Sequence, residues 1–463
     1  MPLPIQNSRI SPESPRLRLL ARGCCPCVFA IATVLAASVA LPVAAAPLAV
    51  ARPLAGVSGQ PPEPTLALSG LIATALRSHP EIQSASASAR AQVFRANGAR
   101  SVYFPQVALQ GGVTETNAVT PTQVGITPFT EGNAGLSATW DVYAFGKNES
   151  TVDQARIQAK LGRIAYDQAR LDVAYAVRQA YVDWVEMRSL VTEQLVQVQN
   201  SRQLYDEALA FYRHGTRAWI DVTSAQAALA SASASYVVDV ANERIARRQL
   251  ADAVGIPAVP PGTPAFPSVP ALASRAEPAL FRQAERSPAL ASAREQLQLA
   301  RQEEQTADRT GLPDVAVSGS YGARSRGAQV APSWSGGLTL SVPIFSGFGV
   351  VNSRDAAHQQ TLAAQENLAT ARLQTHLIVS RAYLTLVGAK QQLPASEAAE
   401  RAAKVNLDQA EGRYREGVGS IIEVSDAEAQ YAAAQATTIR ALAAYHLAIA
   451  DLLHATGHLG VSS

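Results

Sequence analysis

Cysteine is nearly absent from this chain. Cys24, Cys25 and Cys27 are the only three, and all lie near the N-terminus. Beyond residue 27 no disulfide framework and no cysteine metal site can form. Charge is scarce as well, at 16% Asp, Glu, Lys and Arg against a usual quarter, while hydrophobic residues make 48%. A charge-rich disordered chain is excluded. So is a nucleic-acid binder, which needs a basic surplus to neutralise phosphates. The formal charge of +2 comes from 39 basic and 37 acidic groups. Residues 1–46 hold Arg9, Arg16, Arg18, Arg22 and Glu13, leaving 35 basic and 36 acidic groups, a net of −1. Catalytic signatures are missing too. No phosphate-binding Gly-x-x-x-x-Gly-Lys loop and no Gly-x-Ser-x-Gly elbow occurs. His454 and His458 lie four apart, but Gly457 intervenes and no acidic partner is placed to complete a metal site. No catalytic residue, metal or cofactor is expected.

Residues 1–46 read as a secretory signal: Arg16, Arg18 and Arg22, an uncharged run from Gly23 to Ala46, and Ala44-Ala45-Ala46 for cleavage. A membrane anchor is the alternative. The cysteines open the apolar run instead of following it, so no lipid anchor is expected. Residues 47–64 read as a flexible segment. The longest later uncharged stretch, 327–353, carries Pro332, Pro343 and five glycines, and its apolar residues alternate, a strand signal.

The rest repeats. Pro80 and Pro105 stand 25 apart, as do Pro288 and Pro313, at an offset of 208. Ala180-Tyr181 matches Ala382-Tyr383, Tyr212-Arg213-His214-Gly215 matches Tyr414-Arg415-Glu416-Gly417, Ile220-Asp221-Val222 matches Ile422-Glu423-Val424, and Gly255 matches Gly457, all at 202. The six-residue difference falls in the polar loop around 114–133. An internal duplication is expected, with repeats at 65–256 and 277–457, a Pro-rich linker at 257–276 and a tail at 458–463. Each repeat reads helix, strand, strand, very long helix, tip, return helix.

Residues 148–214 and 350–416 are 67 each, about 100 Å of helix. Leu161, Ile164, Leu171, Tyr175, Val182 and Val185 make a coiled-coil stripe on the first. Pro394 is expected to kink the second. Single helices are expected near 66–102 and over 277–310, and return helices over 220–254 and 422–456. Val107, Leu109 and Val113, then Leu136, Ala138, Trp140 and Val142, then Val315 and Val317, then Leu338, Leu340, Val342 and Ile344 alternate with polar or small residues. That pattern fits lipid-facing barrel strands; a soluble β-sandwich is the alternative. Tyr103, Phe104, Tyr143, Phe145, Phe345 and Phe348 at the helix-proximal strand ends suit an interfacial girdle. Four strands cannot close a barrel, and open edges are not tolerated in lipid.

These residues resemble the TolC family of trimeric outer-membrane channels. The duplicated Tyr-Arg-X-Gly…Ile-Asp/Glu-Val tips carry the likeness, with Val142-Tyr143…Phe145-Gly146 and Pro343-Ile344-Phe345…Gly349, over roughly 66–457. The resemblance implies a mixed α+β, mostly α fold: a long coiled-coil helical barrel, and transmembrane β-barrel strands shared in a homotrimer of 12 strands. It places the protein in the Gram-negative outer membrane, against lipid, spanning into the periplasm. It implies a periplasmic adaptor (membrane fusion) protein and an inner-membrane ABC transporter or proton-driven pump as partners. Glu423 and Asp426 match the acids that narrow the pore. Asp221 and Tyr414 match closing contacts between tips built on Tyr212, Gly215 and Gly417, and Arg217 occupies in the first copy the place equivalent to the family's latch arginine. Gly419 stands where the family's best-known latch carries arginine, so the closing network is expected to be wired differently. The branch serving the cyclolysin (adenylate cyclase-haemolysin) exporter is the resemblance within the family, implying type I secretion of a protein toxin. Multidrug efflux is the alternative, and a non-channel coiled-coil adhesin or scaffold the second.

Overall fold

The computed structural model describes residues 66–119, 126–326 and 329–459. The expected signal, the segment 47–64, the three cysteines, the centre of the polar loop and the last four residues of the tail lie outside the described residues.

The first half runs α1 (Leu68–Ser78), α2 (Pro80–Ala99), β1 (Gln106–Val119), β2 (Ile126–Tyr143), α3 (Lys147–Arg213) and α4 (Trp219–Val254). The second runs α5 (Glu277–Ala284), α6 (Pro288–Arg309), β3 (Asp314–Arg326), β4 (Gln329–Ser341), α7 (Gly349–Arg415) and α8 (Ile421–Ala455). α3 and α7 have 67 residues each, and α7 stays one helix through Pro394.

Two expected single helices are broken. The stretch near 66–102 divides at His79, and 277–310 divides between Ala284 and Pro288. The cause is the same in both. A residue before proline is driven out of the helical region, and His79 (ψ 131°) and Ser287 (ψ 149°) are extended. The proline then sits at N1, where its missing N–H is harmless, and the preceding side chain caps the new helix. His79 Nδ1 accepts from Glu81 N–H at 3.3 Å, and Ser287 Oγ from Leu290 N–H at 3.5 Å.

Each break meets a glycine that ends a return helix. Gly255 (φ 78°) follows α4, and a Cβ on it would lie 3.0 Å from His79. Gly457 (φ 71°) follows α8, and a Cβ there would lie 3.2 Å from Ser287. The prolines and glycines that recur in the sequence are thus contact partners in the fold.

Burial is divided among three clusters because rods of this length share no single centre. One joins α1, α3 and α4 through Ile72, Val177, Tyr181 and Leu250. A second joins α5, α7 and α8 through Leu280, Val379 and Leu452. The third, at the helix tips, gathers Leu204, Val222, Tyr414 and Val424. The Tyr181 hydroxyl lies 2.9 Å from the carbonyl oxygens of Leu66 and Ala265, tying both connecting segments to α3.

The strands form one antiparallel sheet in the order β1-β2-β3-β4. Its register aligns Leu109 with Leu136, Leu136 with Tyr321, and Tyr321 with Trp334. Val317 stands beside Trp140 and Leu338. All fall on one face, because paired residues in a ladder point the same way. The other face carries Gln110, Ser137, Ser320 and Ser335. The apolar face is bare in the chain, with Leu109 at 78% and Trp334 at 81% exposure. β1 and β4 are open edges. β4 stops at Ser341, so Val342 and Ile344 leave the expected alternation; Pro343, with no N–H, cannot extend a ladder. Among the described residues no helix is long and apolar enough to cross a membrane.

Gly255→Ala and Gly457→Ala should each lower stability by roughly 2 kcal/mol, combining a left-handed Cβ with a close neighbour. Gly215→Ala, also left-handed (φ 72°) but meeting nothing within 4 Å, should lose only about 1 kcal/mol. Thermal unfolding followed by circular dichroism ranks the three.

Candidate functional site

Both tips are built by one device. α3 ends with Gly215 N–H bonding Tyr212 O (2.9 Å) and Thr216 N–H bonding Phe211 O (3.0 Å). α7 ends with Gly417 N–H on Tyr414 O (3.1 Å) and Val418 N–H on Arg413 O (3.0 Å). These are Schellman closures, which need a left-handed residue at C′; Gly215 and Gly417 have φ 72° and 81°. The second tip adds a cap that the first lacks. Ser420 Oγ accepts from Glu423 N–H at 3.2 Å, whereas Ala218 offers no side chain.

The fold brings Arg217 and Tyr414 together. The Arg217 guanidinium lies 4.8 Å from the Tyr414 ring centre and donates to the Tyr414 carbonyl at 2.9 Å. Tyr414 is buried, edge-on to Phe211 at 5.9 Å. Burial first, and the Asp221 charge second, push its hydroxyl pKa up. Asp221 is therefore a neighbour of Tyr414, but the hydroxyl makes no hydrogen bond among the described residues. Gly419 has a steric reason: a Cβ would meet Arg413 and the Tyr414 nitrogen at 3.0 Å. Arg217 of the first tip reaches Tyr414 from the other side of the junction. Arg415 is engaged within its own helix by Glu411 at 2.6 Å.

Glu423 and Asp426 are both exposed, while Ile421, Val424 and Ala427 on the other side of α8 are buried. The two acids thus share the outward face. Glu423 also lies 3.5 Å from Arg413, and its place at N3 suits an acid beside the helix N-terminus.

Two features of the tips escaped the sequence reading. Tyr212, Trp219, Ile220, Val418 and Ile422 form an exposed apolar collar, with Tyr212 against Trp219 at 5.0 Å. Glu428 is buried at 4% exposure, with Ser201 and Gln197 each at 3.5 Å from its carboxylate. Burial, then the nearby Glu411, raises its pKa to about 7. The signal for Glu428 was its spacing: it stands seven residues after Ile421, on the buried stripe.

The aromatic candidates stand where strands pass into helices. Tyr103 belongs to the short turn Arg100–Tyr103, and Trp140 Nε1 donates to its carbonyl at 3.1 Å. Tyr143 and Phe145 meet edge-on at 4.6 Å, as do Phe345 and Phe348 at 5.6 Å. All six, with Phe104, are exposed. Phe145 (φ 48°) and Phe348 (φ 65°) are the two described non-glycine residues with left-handed backbone. Such residues are uncommon, and here one marks the end of each hairpin. Lys147 ties the hairpins together through Asp314 (2.7 Å) and the Leu312 carbonyl (2.8 Å).

His454 has an acidic partner, Asp172, at 2.8 Å. It comes from α3, 282 residues away, so no local spacing could have shown it.

Comparison with known proteins gives a consistent result. A family model described as "Outer membrane efflux protein" matches residues 71–256 and 281–458. Protein CyaE of Bordetella pertussis is 27% identical over 406 residues, covering 86% of this chain and 85% of its own. Outer membrane protein TolC of Escherichia coli is 26% identical over 375 residues, covering 76% and 74%. Among solved structures, the outer membrane protein VceC of Vibrio cholerae aligns with a TM-score of 0.72 at 20% identity, over 84% of this chain and 96% of VceC.

Between the ordinary carboxylate range and about pH 7, folded Glu428 keeps a proton that the unfolded chain has released. Stability should therefore fall as pH rises from about 4.5 to about 7 and level off above. Glu428→Gln should flatten that slope and raise stability at pH 7.5 by up to roughly 3 kcal/mol. Melting temperature against pH for the two proteins checks this.

Proposed function

The chain belongs to the outer membrane efflux protein family, and from that premise we propose that it is the passive exit duct of a type I system secreting a protein toxin. It is a channel protein of the Gram-negative outer membrane that reaches into the periplasm, and it is not an enzyme. The observation that carries the duct reading is the sheet. Its one apolar face and two open edges demand partners, because unpaired backbone groups are not accepted in lipid. β1 of one copy against β4 of the next satisfies both edges, and three copies give 12 strands. The two matching halves are read as copies of one ancestral unit. α3 with α4 and α7 with α8, over 100 Å long in the case of α3 and α7 by the ordinary helix rise, become the wall of a tunnel.

In that assembly the tips are the periplasmic entrance. Glu423 and Asp426, exposed and on one face, supply six carboxylates around a threefold pore and favour cations. The Arg217–Tyr414 contact holds the tips of the two halves together. The exposed apolar collar at the tips is the docking surface for a periplasmic adaptor, which links the duct to an inner-membrane ABC transporter. Energy and most substrate choice reside in that pump. The longer match to Protein CyaE supports secretion of a protein. Multidrug efflux with a proton-driven pump is the second reading, favoured by the family description.

In planar bilayers the purified protein should give discrete conductance steps with cation preference, and run as a heat-sensitive trimer. Glu423→Ala with Asp426→Ala should reduce the preference and relieve block by multivalent cations; unchanged selectivity removes both from the constriction. Deleting the gene should abolish release of a secreted toxin while leaving drug resistance intact, and the reverse outcome establishes the second reading.

A further inference from the structure

A cavity of about 730 Å³ lies among α1, α3, α8 and the irregular segment 265–275, apart from the tips. Such a volume is typical of small-molecule sites. Its walls are mixed: Ile72, Val182, Ile449 and Leu453, all of them buried, give an apolar side, and Ser69, Arg178, Gln283 and His446 add polar groups. No aspartate or glutamate is among the described residues lining it.

Into this cavity projects Arg178, at 6% exposure. A guanidinium has five N–H donors. Arg178 uses them on two carbonyls, Ala174 at 3.4 Å and Leu459 at close range. Among the described residues no carboxylate lies within ion-pair distance of it. Burial lowers its pKa to about 10, so it remains a cation at neutral pH. A buried charge is strongly unfavourable without a counter-ion, and among the described residues two carbonyl dipoles offset this one only in part. Arg275 lines the same space, engaged only weakly by Gln283 at 3.4 Å. His446, also on the wall, is stacked on Phe266 at 5.0 Å, and burial lowers its pKa. It is therefore neutral at pH 7, and leaves the positive charge to the arginines.

The chemistry asks for one planar anion and one apolar body. The fork of a guanidinium matches a carboxylate with two parallel hydrogen bonds. We propose that this cavity binds an amphipathic monocarboxylate of the fatty-acid type, its head on Arg178 and its alkyl chain between Ile72, Val182 and Ile449. The site is independent of the pore and of the tips.

The test uses the full chain in phosphatidylcholine nanodiscs, with empty nanodiscs as the blank, and follows binding by calorimetry and saturation-transfer NMR. Octanoate, octanol, octylammonium and acetate are the probes. Octanoate should bind at least about tenfold more tightly than octanol or acetate, and octylammonium should not bind. Arg178→Gln should weaken octanoate by about tenfold or more and leave octanol unchanged. Ser268→Trp, at an exposed position on the cavity rim, should block both. Equal affinity for octanoate and octanol, octanoate binding that survives Ser268→Trp, or no binding at millimolar concentration overturns the proposal. Should Arg178→Gln not fold, the Ser268→Trp result decides. Conductance is read in parallel, so that loss of the cavity and loss of the channel are told apart.

Discussion

Backbone hydrogen bonding at the sheet edges is the constraint on which this structure turns. Each strand pair inside the chain is satisfied, but β1 and β4 each present a row of N–H and C=O groups with no partner. In water a long open edge invites uncontrolled pairing, and in lipid it is prohibitive. The apolar face adds a second demand, since Leu109, Trp334 and Leu338 are mostly exposed. The closed ring of sheets proposed above, greasy outside and polar within, meets both demands.

A rod of 67 residues cannot bury a core on its own axis, so burial is parcelled into clusters at the middle of each long helix and at the tips. Those clusters use the same few tools twice. A proline breaks a helix, its neighbour caps the next, and a left-handed glycine from the return helix packs against the break. At the far end a second pair of left-handed glycines closes the tips, one at each. The tips then differ where function is expected to differ. Arg217 belongs to one tip, and the Ser420 cap and Glu423 to the other.

Much of this was legible along the chain. The 67-residue rods were read one residue out of place, and the return helices within one residue, because long apolar stripes and glycine stops define them without help. The helix-proximal parts of the four strands were legible from alternation, but β1 and β2 run on through 114–119 and 126–133, which read as polar loop, and β4 ends early, where Pro343 overrode the pattern. The broken helices were not, although Pro80 and Pro288 had been noticed as openings. What was missed is that a proline opening one helix also closes the preceding one. At the site, the tip glycines were legible from the repeat spacing and Glu423 and Asp426 only through the family resemblance, whereas the apolar collar was invisible because exposure has no local signature.

The sequence alone determined the periods: which residues are helical, which alternate, where chains turn, and that the greasy side of each strand is continuous. These are local consequences of side-chain size, branching and backbone freedom. Tertiary structure alone decided the pairings across hundreds of residues. It set Asp172 on His454, buried Glu428 beside Ser201, laid Arg217 over Tyr414 and left Arg178 facing a cavity. Such pairs depend on how rods align side by side, and burial, which sets their charge states, is a property of neighbours and not of the residue itself.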